Sequence, residues 1–80
     1  MLGIDYTLII ETIDEPDFFS FFSPDLEGFT GVGHSIEDCI YNARHGMQEH
    51  VKLLVENKLP VPPQNNDPKI IIQNSEKIAA

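Results

Sequence analysis

The chain has 80 residues, a formal net charge of −8 and a single cysteine. One cysteine excludes an internal disulfide, and no apolar run approaches the roughly 20 residues that cross a membrane. A chain this short buries only about 60% of the surface of its unfolded form, so we expect one domain over residues 1–80, stabilised as a dimer or tetramer. The N-terminus lacks the features of a signal peptide, which favours a cytoplasmic protein.

The acidic residues are concentrated in the first half of the chain. Residues 1–43 contain nine carboxylates and no Lys or Arg, whereas residues 44–80 contain five basic and four acidic side chains. Nucleic acid binding requires Lys and Arg to displace counterions from phosphates, so we expect none by this chain. Such a surface attracts a basic protein instead. Plain solubility is the alternative explanation of the charge.

Two strands are predicted at the start of the chain. Residues 6–13 are rich in β-branched and aromatic side chains and predict a first strand, and residues 14–17 predict a turn. Residues 18–22, Phe-Phe-Ser-Phe-Phe, predict a second strand that pairs with the first as a hairpin. Because side chains alternate along a strand, Phe18 and Phe22 share one face and the phenylalanines between them share the other. Neither face is polar, so we expect a helix on one and a subunit or partner on the other.

A glycine-rich stretch connects a third strand, near residues 29–32, to a helix. Glycines before a helix also occur in phosphate-binding loops, but here the motif spacing is incomplete and no Walker lysine follows. Nearby carboxylates would repel a phosphate. We therefore interpret Gly28, Gly31 and Gly33 as residues that shape the backbone, and we expect no cofactor.

A long helix and a fourth strand complete the predicted order. Ser35 and Asp38 have the spacing of a helix cap, and apolar residues then recur at helical spacing over some six turns. Pro60 ends the helix, and residues 60–63 should be extended. Residues 69–73 predict the last strand, after which a short helix from Ser75 or a frayed end is expected. The prediction is an α+β fold of two layers, a small mixed sheet in the order β-β-β-α-β with one long helix on one face.

Catalytic and metal-binding sites are not expected. Cys39 falls on the apolar stripe of the helix, where a small buried side chain is the better interpretation than a nucleophile. His45 and His50 are five residues apart and turn to different sides of a helix, and no partner completes a metal site. His34, immediately before the helix, is the polar side chain with the best prospect of a functional role.

A composite motif extends from a Ser-Pro-Asp-Leu-Glu-Gly turn to a Leu-Pro-Val-Pro-Pro exit, with Ser-Ile-Glu-Asp-Cys-Ile-Tyr-Asn-Ala at the start of the helix. It resembles the HicB antitoxin family. The matching residues are Pro24, Asp25, Leu26, Gly28, Gly33, Ser35, Glu37, Asn42, Ala43, Pro60 and Pro62. The chain departs from the family pattern at Glu27, where proline is usual, at Phe29, where cysteine is frequent, and at Cys39, where alanine is found.

The resemblance implies a partial RNase H-like fold and a partner, a small basic HicA toxin that cleaves mRNA with a histidine. HicB proteins bind that toxin and cover its histidine. RNase H chemistry is not carried over, because it needs several carboxylates that converge on metal ions. Many HicB proteins continue into a DNA-binding domain, and this chain contains no such element, so direct operator binding is not expected.

The first functional hypothesis is therefore an antitoxin that neutralises a basic ribonuclease. We expect the partner to contact the acidic turns and the aromatic side chains beside them: Asp14, Glu15, Asp17, Phe18, Phe22, Asp25 and Glu27. The alternative is a stand-alone oligomeric domain with a ligand-binding or structural role and no toxin partner, in which the face with Phe18 and Phe22 joins subunits. A metal-dependent nuclease that uses Asp25 or Glu37 is a third and weaker hypothesis.

Overall fold

The structure, a computed structural model, describes residues 4–74. Its elements in chain order are β1 (Leu8–Thr12), β2 (Phe19–Phe22), β3 (Thr30–Gly33), α1 (Ile36–Glu56) and β4 (Ile70–Asn74). The predicted order of three strands, a helix and a strand is confirmed. The expectation for the chain after residue 74, a short helix or a frayed end, lies outside the described residues.

The four strands form one mixed sheet in the order β3-β2-β1-β4. β1 and β2 pair antiparallel as the predicted hairpin, and β2 and β3 also pair antiparallel. β4 lies parallel to β1 on its other side. The parallel pairing is possible because α1 carries the chain back to the end of the sheet where β1 begins, as parallel strands require a long crossover. The two-layer α+β architecture with a mixed sheet is thus confirmed.

The core lies between α1 and one face of the sheet. Alternation along the strands brings Leu8, Ile10 and Phe21 to this face, where all three are buried. The helix contributes Cys39, Ala43 and Met47, spaced at four residues, so they form one stripe. Other buried hydrophobic residues come from the segment before β1 and from the β2–β3 connection: Ile4, Tyr6, Leu26 and Phe29.

The helix begins at the predicted cap. Ser35 has an extended backbone, and its Oγ accepts a hydrogen bond from the Asp38 N–H at 3.0 Å. In a capping box the acidic side chain would return this bond to the cap residue's own N–H. Here the Asp38 carboxylate accepts from the N–H of His34, one residue earlier, at 2.9 Å. The helix N-terminus is therefore fixed to the end of β3.

The glycines before the helix are explained by packing and backbone conformation. Gly28 has a φ of 82°, which favours glycine. At Gly31 a Cβ would lie 2.4 Å from Cζ of the buried Phe21, so the ring occupies the space that a side chain would need. Gly33 similarly makes room for Cys39, because a Cβ there would lie 2.8 Å from the sulfur. Backbone conformation and packing therefore explain these glycines, and a bound phosphate is not needed to explain them.

The segment after the helix turns sharply and lies back across the end of the core. Asn57 caps α1, and Lys58 has a positive φ of 58°, the left-handed conformation that commonly follows a helix. The chain is then extended through the prolines. The hydroxyl of Tyr6 donates to the Pro62 carbonyl at 2.7 Å, so this segment is fixed to the residues before β1. Burial raises the pKa of Tyr6, and the nearby Asp5 and Asp25 carboxylates add to the shift.

Candidate partner-binding surfaces

The strand directions divide the seven predicted partner-binding residues among three places. β2 runs away from the β1–β2 turn, which places Asp14, Glu15, Asp17 and Phe18 at one end of the sheet. Asp25 and Glu27 follow β2 and lie at the opposite end, beyond a four-residue strand that spans about 13 Å. Phe22 lies between them on the sheet face away from α1. The predicted residues therefore do not form one continuous patch.

The end of the sheet with the β1–β2 turn collects further carboxylates from the helix. β3 runs antiparallel to β2, so α1 begins beside this turn, and Glu37 and Asp38 occupy its first helical turn. We call this region the acidic end and define it by Asp14, Glu15, Asp17, Glu37 and Asp38. All of these except the half-buried Asp38 are exposed. The partner contacts predicted from the sequence did not include Glu37 and Asp38.

His34 connects the two halves of the acidic end. Its Nδ1 lies 3.2 Å from the backbone carbonyl oxygen of Asp17, within hydrogen-bond distance of the form that is protonated at Nδ1. Its backbone N–H donates to Asp38. The side chain that had the best prospect of a functional role thus joins the β1–β2 turn to the helix N-terminus. This contact links the two chain segments that carry the carboxylates of the acidic end.

Asp25 is bound within the chain at the opposite end. Its Oδ2 accepts hydrogen bonds from the Thr7 N–H and from the Asn65 side-chain amide, both at 2.9 Å. The hydrogen bond from Thr7 is the main cause that lowers the pKa of Asp25, and the bond from Asn65 adds to it. Asn65 also donates its backbone N–H to the Asp5 carbonyl at 2.8 Å. Asp25 therefore joins three chain segments, whereas the exposed Glu27 remains available to a partner.

The sheet face away from α1 carries one apolar row of side chains. The strand register places Phe22 next to Ile9 and Ile9 next to Ile71, so these side chains form a row across β2, β1 and β4. We call this surface the outer face. Ile71 is 41% exposed, and Val32 on β3 is 57% exposed. Within residues 4–74 the single helix covers the opposite face, and no other element covers the outer face.

Two clefts flank the extended segment after the helix. One, of about 440 Å³, lies against the core-facing side of α1 and includes the side chains of Asp5, Arg44 and Gln48 in its lining. The other, of about 510 Å³, is lined mainly by apolar residues such as Leu26, Leu54 and Leu59.

The described residues contain no group of three or more His, Cys, Asp or Glu side chains that could hold a metal ion. Cys39 is fully buried, and burial raises the pKa of its thiol, so it packs as a small apolar side chain. Between residues 4 and 74 no helix has the length and hydropathy needed to cross a membrane.

Comparison of the chain with models of protein families, with curated proteins and with solved structures finds no match. The similarity to HicB antitoxins therefore depends on the sequence motif alone.

Proposed function

We propose that this protein is a HicB-like antitoxin that binds a small basic ribonuclease of the HicA type and covers its catalytic histidine. The observation that carries the proposal is the acidic end, where two segments distant in sequence place five carboxylates on one surface. Residues 1–43 contribute no positive charge to oppose them. A surface of this kind competes with RNA for a basic cleft, because both present closely spaced negative charge.

The proposal includes the motif and its implications. The turn, helix start and proline-rich exit that resemble HicB also imply a partial RNase H-like relationship and a cytoplasmic location, where mRNA is cleaved. The chain would act by binding, without catalysis, nucleic-acid contacts or a cofactor. Phe18 is included as a contact that flanks the acidic end. Glu27 is included as a separate contact at the opposite end of the sheet, where Asp25 holds its turn in place.

The experiment takes the product of a small basic gene adjacent to this one as the candidate ribonuclease, and measures binding and RNA cleavage. The test variant is Glu15→Lys/Asp17→Lys at the acidic end. The matched control is Glu49→Lys/Glu56→Lys, which changes the net charge equally but alters exposed residues in the second half of α1. We expect the test variant to weaken binding by about tenfold or more at low salt and to flatten its salt dependence. The control should remain within about threefold of the unchanged protein.

Two outcomes contradict the proposal. RNA cleavage that is unaffected by an excess of this protein excludes the antitoxin function. Equal weakening by the test and control variants excludes the acidic end as the contact surface, because only net charge would then matter.

The second candidate function is a stand-alone oligomeric domain without a toxin partner. The observation that favours it is the outer face, whose row of Phe22, Ile9 and Ile71 lacks a covering layer within residues 4–74. Absence of a basic neighbouring gene, together with a stable oligomer of the purified chain, would favour this function.

A further inference from the structure

β4 is an edge strand without the features that usually protect an edge from pairing. It has β1 on one side and, in the described part of the chain, no strand on the other. Its sequence, Ile-Ile-Ile-Gln-Asn, contains no charge or proline, and Pro68 and Lys69 precede the strand. Natural sheets usually protect such an edge with a charge, a proline or a bulge along the strand. An unprotected strand of this composition pairs readily with another strand.

The backbone groups available at this edge can be identified from one hydrogen bond. The Leu8 N–H donates to the Lys69 carbonyl at 2.8 Å, so the backbone groups of Lys69 face β1. Because these groups alternate along a strand, the N–H and C=O groups of Ile70 and Ile72 point away from β1. They supply two donors and two acceptors in the spacing of an antiparallel ladder.

The opposite edge of the sheet differs. β3 contains Gly31 and Gly33, which weaken a strand as a template for pairing. The Asn42 side-chain amide of α1 also donates to the Val32 carbonyl at 3.2 Å, so one backbone acceptor of β3 is already bonded. The two edges are therefore not equivalent, and β4 is the one suited to a partner strand.

We propose that two copies of this chain form a dimer by antiparallel pairing of their β4 strands, with Ile71 at the two-fold axis. In this register Ile70 of each copy exchanges both backbone hydrogen bonds with Ile72 of the other. Ile72, which is 50% exposed on the helix side, gains an isoleucine neighbour. On the outer face the two Ile71 side chains meet, and the row through Ile9 and Phe22 becomes continuous across both sheets.

Charge complementarity selects this register and a second copy as the occupant. Lys69 of one chain lies opposite Gln73 of the other, whose amide is 3.4 Å from the Glu11 carboxylate. The Lys69 ammonium is thereby brought toward a carboxylate of the second copy. The ion pair that Lys69 now forms with Asp67 is on the surface and weak, so breaking it to reach the second copy costs little. Moving the axis to Ile72 would instead place Ile71 opposite Gln73, an apolar group against a polar one.

The antiparallel arrangement also suits the negative charge of the chain. β4 ends at the same end of the sheet as the β1–β2 turn, because it runs parallel to β1. A two-fold axis perpendicular to the sheet therefore sends the two acidic ends in opposite directions and keeps both helices on one side of an eight-stranded sheet. Repulsion between the acidic ends is small at this distance.

The test uses the purified chain alone, so its result does not depend on the proposed inhibition of a ribonuclease. Molecular mass is measured by light scattering at micromolar concentration. Ile71→Lys places two ammonium groups at the axis, and Ile72→Pro removes an outward N–H that β1 does not use. Val32→Lys is the matched control, an exposed apolar residue on the same outer face but at the other edge. We expect a dimer for the unchanged chain and Val32→Lys, and monomers for the other two.

A cysteine variant gives a second measurement that does not require the lysine and proline variants to fold. In Ile71→Cys the two new thiols face each other at the axis, so mild oxidation should produce a covalent dimer in most of the protein. Val32→Cys should remain uncrosslinked. The proposal is overturned by a monomeric unchanged chain, by a dimer that Val32→Lys dissociates while Ile71→Lys does not, or by failure of Ile71→Cys to crosslink.

Discussion

The carboxylate of Asp25 accepts a hydrogen bond from the backbone N–H of Thr7 at 2.9 Å, which joins the turn after β2 to the residue before β1. The same oxygen accepts from Asn65, so the turn after β2, the residue before β1 and the segment after the helix meet at one atom. Asp25 belongs to the motif that resembles HicB. It thus has a structural role, at the end of the sheet opposite the acidic end.

Asp25→Asn should lower the free energy of unfolding by about 1–2 kcal/mol, because two hydrogen bonds to a charged acceptor become bonds to a neutral one. Asp67→Asn is the matched control, since its carboxylate is 84% exposed and pairs only with Lys69 at the surface. Urea unfolding monitored by circular dichroism measures both. Equal effects of the two substitutions would show that the Asp25 hydrogen bonds contribute nothing specific.

The contribution of Asp25 should depend on pH. Its pKa in the folded chain is lowered by the bonds from Thr7 and Asn65, so the folded state favours the ionised form. The stabilisation is therefore fully present above the unfolded pKa, about 3.9 for aspartate, and is lost as the pH falls through the lower folded value. The difference in unfolding free energy between the unchanged chain and Asp25→Asn should shrink from pH 6 to pH 3. A difference that stays constant over this range would contradict the assignment.

Gly31→Ala should destabilise the fold by about 1–3 kcal/mol, because the added methyl group would overlap the buried ring of Phe21. Val32→Thr, at the exposed neighbouring position, should change stability by less than about 0.5 kcal/mol. Thermal or urea unfolding measures both variants.

A double variant tests whether the Phe21 ring causes the loss of stability expected for Gly31→Ala. Phe21→Leu removes the far atoms of the ring, so adding Gly31→Ala to it should cost less than Gly31→Ala costs alone. Additive losses would mean that the ring contact is not what excludes a side chain at Gly31.

Much of the fold was predictable from the sequence because its signals are local. Side-chain alternation and β-branched residues predicted the strands, and helical spacing between Ser35 and Pro60 predicted the helix to within a few residues. The Ser35 cap and the burial of Cys39 follow from the same short-range patterns, and the structure confirms both. Such signals involve residues at most a few positions apart, so no knowledge of the tertiary arrangement is needed.

The candidate site could be predicted only in part. Sequence reasoning grouped Asp14, Asp17 and Asp25 on one surface because they are close along the chain. The structure separates Asp25 from the other two by the length of β2 and uses its carboxylate internally. It also brings Glu37 to the same end as Asp17, because β3 runs antiparallel to β2 and α1 therefore begins beside the β1–β2 turn.

The sequence by itself determined the order and type of the elements, the apolar stripe of α1 and the absence of positive charge before Arg44. Only the tertiary structure decided the strand order β3-β2-β1-β4, and with it the composition of the acidic end and the open edge at β4. Local propensities act between neighbours in sequence, whereas strand order depends on contacts such as that of Ile10 with Ile72, which are 62 positions apart. Such contacts form because they bury apolar surface, and side-chain periodicity alone does not specify which strands pair.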